Sequence, residues 1–136
     1  MAETWFVLSV ITLLLWGIWG LLEKIALNTL SWQQTFIIAS FGIISTVLIF
    51  FLFTRPQISI SQGFYYAVLG GLIGGLGVIL FYYALSQGKA SVVIPLTALY
   101  PVVTVILSFL ILQEKITLVQ GVGILFALAS IFLLSL

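Results

Sequence analysis

Seven charged residues, Glu3, Glu23, Lys24, Arg55, Lys89, Glu114 and Lys115, are the only ones in 136 positions. The uncharged stretches between them come close to or exceed the ~20 apolar residues that a helix needs to cross a bilayer. A water-soluble domain must cover its exterior with polar side chains, and so few charges cannot cover one of this size. With 63% apolar residues, against roughly 45–50% in soluble domains, the chain is one whose solvent is lipid. The expected class is all-α, an integral membrane bundle of five transmembrane helices.

The chain contains neither cysteine nor histidine. Disulfide frameworks, thiol nucleophiles, Ser-His-Asp catalysis and the usual zinc ligand sets are thereby excluded, so no enzyme chemistry, metal or cofactor is expected. A formal net charge of +1 without any basic run argues against nucleic acid as a partner. The start, Met1-Ala2-Glu3-Thr4, has no positive n-region, and the first apolar segment reads as a retained helix.

Hydropathy and breaker residues place the spans at 5–27, 34–53, 64–86, 91–112 and 118–136, within a single domain over 1–136. The connections are short: Asn28 to Gln33, Thr54 to Gln62, Gln87 to Ser91, and Gln113 to Thr117. In the third, Gly88 stands where a helix C-terminus favours glycine, and Ser91 where the next helix favours an N-cap. An odd number of spans puts the termini on opposite sides. Arg55 and Lys115 then lie on the side of the N-terminus, and Lys24 and Lys89 on the other. Orientation follows an excess of Lys and Arg in cytoplasmic loops, and two against two gives no excess. Either the charges are too few to decide, or two copies insert in opposite senses and pair as an inverted dimer.

The third span carries Gly70, Gly71, Gly74 and Gly75, a smooth face at four-residue spacing that lets another helix approach closely or serves as a hinge. In the fourth, Pro95 lies near the start and Pro101 near the middle, where it removes a backbone hydrogen bond and bends the axis. Flanked by Thr97, Tyr100 and Thr104, Pro101 marks either a cavity-lining helix or a kink that serves packing alone. On the first span Ser9, Thr12, Trp16, Trp19, Gly20 and Glu23 recur at three- and four-residue steps and share a face. Trp16, far from the headgroup level, suits a pocket wall. Glu23 is either a proton- or cation-coupling group facing protein or water, or half of an interfacial pair with a snorkelling Lys24. Tyr65, Tyr66, Tyr82 and Tyr83 flank the third span as an aromatic belt, with Tyr82 a further candidate for the cavity wall. Glu114 and Lys115 read as a solvated loop pair.

The runs Tyr83-Ala84-Leu85-Ser86-Gln87-Gly88-Lys89-Ala90-Ser91-Val92-Val93-Ile94-Pro95-Leu96, Leu99-Tyr100-Pro101-Val102-Val103-Thr104, Leu112-Gln113-Glu114-Lys115-Ile116-Thr117 and Gln120-Gly121-Val122-Gly123 resemble the EamA domain of the drug/metabolite transporter superfamily. Leu15-Trp16-Gly17-Ile18-Trp19-Gly20 with Lys24 is similar to that family's first helix. The resemblance implies a transporter whose members carry two such five-helix units in opposite orientations, with the solute path between them. One unit is present here, so it also implies a second copy or a paralogous partner. Glu23 rests on the residues alone.

The expectation is therefore a half-size, multi-pass transporter subunit in the plasma or inner membrane. It moves a small organic solute by alternating access, as a homodimer or a paralogous heterodimer in contact with membrane lipid. Trp16, Trp19, Glu23, Tyr82, Thr97, Tyr100 and Thr104 line the expected pathway. Two alternatives stand beside it: an accessory membrane subunit that only binds other helices, and a lipid-carrier flippase subunit in which Lys24 or Lys89 meets a phosphate.

Overall fold

In hydrocarbon every backbone N–H and C=O must be satisfied by protein, which a helix does within one segment. The computed structural model, which describes residues 2–135, is helical almost throughout and has no strand among those residues. Helix α1 covers Ala2–Ala26, α2 Trp32–Thr54 and α3 Gln62–Gln87. The fourth stretch is divided into α4, Ala90–Thr97, and α5, Tyr100–Leu107, followed by a π-helical turn over Ser108–Leu112. Helix α6 runs over Leu118–Ser135. Thr4–Ala26, Trp32–Thr54, Gln62–Gln87 and Ala90–Leu112 are long and apolar enough to cross a membrane, and α6 is apolar but shorter.

Side chains set several of these boundaries. Ser31 and Gln34 form a capping box at the start of α2: Ser31 Oγ accepts the Gln34 N–H at 3.3 Å while Gln34 Oε1 accepts the Ser31 N–H at 3.0 Å. Thr117 and Gln120 repeat it before α6, at 3.3 and 2.9 Å. Helix α2 ends at Arg55, left-handed at φ 40°, whose N–H reaches Phe51 O at 2.8 Å; Pro56 follows and cannot continue the helix. At the end of α3 the structure departs from expectation. Gly88 does not have a positive φ, and the N-cap of α4 is Lys89 instead of Ser91.

The chain divides into two compact units, Met1–Gln87 and Gly88–Leu136. In the first, α3 packs along α2, and Tyr82 and Leu85, at 1% and 0% exposed, form the apolar centre. Among the described residues Glu23 and Thr35 are the buried polar ones, whereas large apolar side chains such as Phe53 and Leu80 face outward. Apolar outside with polar inside is the reverse of a soluble core and fits a lipid surround. Hydroxyls on the outer faces are satisfied by their own helix: Ser9, Thr12, Ser45, Thr46 and Thr54 each donate to the carbonyl four residues back, at 2.7–3.0 Å.

In the second unit α4 packs against α6, and the roles expected of the two prolines are exchanged. Pro95 lies inside α4, and Pro101 occupies the first turn of α5. Because Pro101 has no N–H to give Thr97 O, the chain breaks at Ala98 and Leu99 instead of bending smoothly. The ladder there tightens to three-residue steps, from Leu99 N to Leu96 O at 3.3 Å and from Val102 N to Leu99 O at 2.8 Å. Beyond α5 the ladder widens instead, and Gln113, left-handed at φ 55°, closes the π turn with its N–H on Ser108 O.

Candidate functional site

One face of α1 ends in a concentration of aromatic and polar groups within the first unit. The Trp19 ring stacks on Phe81 with centroids 5.3 Å apart and meets Tyr82 edge-on at 6.5 Å. Phe36 of α2 reaches the same Tyr82 at 5.8 Å, so this one ring touches aromatic partners from all three helices. Such pairs contribute about 0.5–1.5 kcal/mol each beyond their area, which helps to hold helices that lipid gives no hydrophobic reason to associate. Above Tyr82, Trp32 and Tyr83 form a further edge contact at 5.5 Å between the start of α2 and the end of α3.

The polar end of Tyr82 meets Glu23. The Tyr82 hydroxyl lies close to the Glu23 carboxyl group and to the Trp19 indole, so that α1 and α3 bring two rings and an acid together. Glu23 is 9% exposed, and what exposure it keeps faces a half-open cavity of about 210 Å³ between α1, the α1–α2 turn and α2. Leu22, Ala26, Leu30, Ile38 and Ala39 make the walls apolar, and Thr35 adds the second polar group. The Thr35 hydroxyl donates to Ser31 O at 3.0 Å, so its hydrogen is committed and its oxygen remains an acceptor. Lys24 turns instead to α3, where its ammonium donates to Leu85 O at 2.8 Å. It thus satisfies one of the last four carbonyls of that helix and complements its negative end.

A larger cavity, about 400 Å³, lies in the second unit between α5, the π turn and α6. Its polar lining is Ser108, Glu114, Lys115 and Gln120. Glu114 and Lys115 are exposed, and Gln120 is spent on capping Thr117. The smaller cavity is the better candidate because it holds a buried acid, which membrane interiors retain only where it is used or paired.

Of the residues picked out from the sequence, Trp19, Glu23 and Tyr82 come together. Trp16 does not join them; it is 58% exposed on the outer surface of α1. Thr97, Tyr100 and Thr104 belong to the second unit and flank its helix break. The Thr97 hydroxyl donates to Val93 O at 2.9 Å and Ile94 O at 3.0 Å, and that of Thr104 to Tyr100 O at 3.2 Å. Their polarity is absorbed by the carbonyls around Pro95 and Pro101. The face of Gly70, Gly71, Gly74 and Gly75 is open, with nothing within 4 Å of where a Cβ would stand. Thr35 was not legible in the sequence, where it follows Gln33 and Gln34 and reads as part of the polar start of a span; its one signal is its place a turn beyond the Ser31 cap.

Residues 3–136 match the EamA-like transporter family. An uncharacterized protein of Methanocaldococcus jannaschii is 32% identical over 133 residues, covering 98% of this chain and 97% of that protein. No solved structure matches.

Proposed function

The chain belongs to the EamA-like transporter family, a family of the drug/metabolite type, and is an integral membrane protein; on that premise we propose that it is a half-size subunit moving a small organic solute across the membrane. The observation that carries the proposal is Glu23. A bundle that turns nearly all its large apolar side chains outward keeps this acid 9% exposed, beside Tyr82 and on the wall of a cavity. An acid costs too much in the membrane to be kept without a partner or a use.

Five membrane crossings make one unit of the family's usual pair, and the subunit works with a second copy of itself or a paralogue inserted in the opposite sense. Two features support this pairing: the even balance of loop charges and the open glycine face of α3. The relative from M. jannaschii, matched over 97% of its own length, is equally short. Transport proceeds by alternating access, the interrupted α4–α5 stretch providing the place where a helix gives way, in the plasma or inner membrane. No catalytic chemistry and no cofactor are involved, and Glu23 is the group through which a proton or cation would couple. The Lys24 bond to Leu85 O speaks against that lysine as the phosphate contact of a lipid-carrier flippase.

The test is solute counterflow with the purified chain alone in liposomes, using a panel of amines, amino acids and neutral metabolites. Saturable exchange of at least one solute, reduced in Glu23→Gln, is expected. If no solute exchanges with the chain alone or with an oppositely inserted paralogue, the accessory-subunit role replaces the transport reading.

A further inference from the structure

The polar lining of the small cavity in the first unit is one-sided. Glu23 presents a carboxylate, and Thr35, its hydrogen given to Ser31 O at 3.0 Å, presents an oxygen with free lone pairs. None of the lining residues is basic, and the one adjacent in sequence, Lys24, is directed to Leu85 O. Tyr82, whose hydroxyl lies close to the acid, and Trp19 are not among the lining residues, so neither adds a donor to the lining. The group complementary to such a lining is positively charged and carries hydrogens to donate. The remaining walls, Leu22, Ala26, Leu30, Ile38 and Ala39, accept only an apolar body.

We propose that this cavity binds a small primary or secondary organic amine as its ammonium ion, with N–H donated to Glu23 and Thr35 and the alkyl part lying on the leucine, isoleucine and alanine walls. The proposal names the solute class for the transporter reading above and rests on it only for movement of the solute; binding stands by itself. Because the two acceptors favour N–H, a quaternary ammonium of the same size binds less well, as does an isosteric alcohol without charge. The volume, about 210 Å³, admits short alkylamines.

The test is calorimetric titration of the full chain in lipid nanodiscs, with empty nanodiscs as the blank, using n-butylammonium, butyltrimethylammonium and butanol. Saturable binding of n-butylammonium, at least about tenfold weaker in Glu23→Gln and weakened in Thr35→Val, is expected. Both variants are checked for an unchanged elution profile and helical circular dichroism, and Ser45→Ala serves as a folded control on an outer face. Unchanged affinity in Glu23→Gln overturns the proposal, as does absence of n-butylammonium binding or equal affinity for the quaternary ion. Counterflow of other solutes without amine binding would sink this site and leave transport standing; amine binding without any counterflow would do the opposite.

Discussion

The ammonium of Lys24 donates to the carbonyl oxygen of Leu85 at 2.8 Å, across 61 positions of sequence. Leu85 is wholly buried, and its carbonyl belongs to the last turn of α3, where no later N–H of the helix is available to it. One side chain therefore both ties α1 to α3 and closes a helix end that hydrocarbon would otherwise penalise.

Replacing Lys24 by Met keeps the apolar stem and removes the donor. The expected loss is about 1–3 kcal/mol of stability, since a charge-assisted bond is lost and a carbonyl is left unpaired. Lys24→Arg, which retains a donor, loses less. Thermal unfolding in detergent, followed by helical circular dichroism, checks both; equal stability of wild type and Lys24→Met would show the bond to be unimportant.

Tyr82 combines two separable roles. Tyr82→Phe leaves the ring against Trp19, Phe36 and Phe81 but removes the hydroxyl beside Glu23, for an expected cost of about 1–2 kcal/mol and a several-fold weaker solute interaction. Tyr82→Ala removes the centre of the first unit and costs about 3–5 kcal/mol. The contrast is read by running unfolding and binding measurements on both variants.

The glycine face predicts a different separation. Nothing lies within 4 Å of a Cβ at Gly71 or Gly75, so Gly71→Leu with Gly75→Leu leaves the fold of the single chain intact. If a second chain packs on this face, the same pair of substitutions abolishes association, because close approach in lipid depends on small residues. Cross-linking and sedimentation in detergent report association, while circular dichroism reports the fold.

The balanced loop charges predict insertion in both senses. Ser61, just before α3, and Ser91, in the first turn of α4, are both exposed, and the chain has no native cysteine. Single cysteines placed there and labelled from outside intact cells with an impermeant reagent should each react in about half of the copies. Reaction at one position alone would establish a single orientation and require an oppositely inserted paralogue.

Much of the fold was legible from local chemistry. Charges at Lys24, Arg55, Lys89 and Lys115 fall at or near helix ends, and the Ser31-Gln34 and Thr117-Gln120 spacings are those of capping boxes. The break near Pro101 was legible in kind, yet the sequence pointed to a bend where the ladder stops at Thr97. The π turn over Ser108–Leu112 has no glycine or proline to announce it. Of the site, Glu23 stood out because an acid is rare inside a membrane helix, whereas Thr35 did not, because a lone hydroxyl usually bonds to its own helix.

Which solvent the chain lives in, that it is helical and roughly where each helix ends were determined by the sequence itself, since these depend on composition and on neighbours within a turn or so. Which faces meet was decided only by the tertiary structure. A helix apolar all round has no polar side to mark its rotation, so nothing local says that Trp19 stacks on Phe81 while Trp16 does not join it, or that Tyr82 is buried while Tyr83 is exposed. Those choices are made by shape and by long-range bonds such as that of Lys24 to Leu85, because in lipid no expulsion of water exists to orient one apolar surface against another.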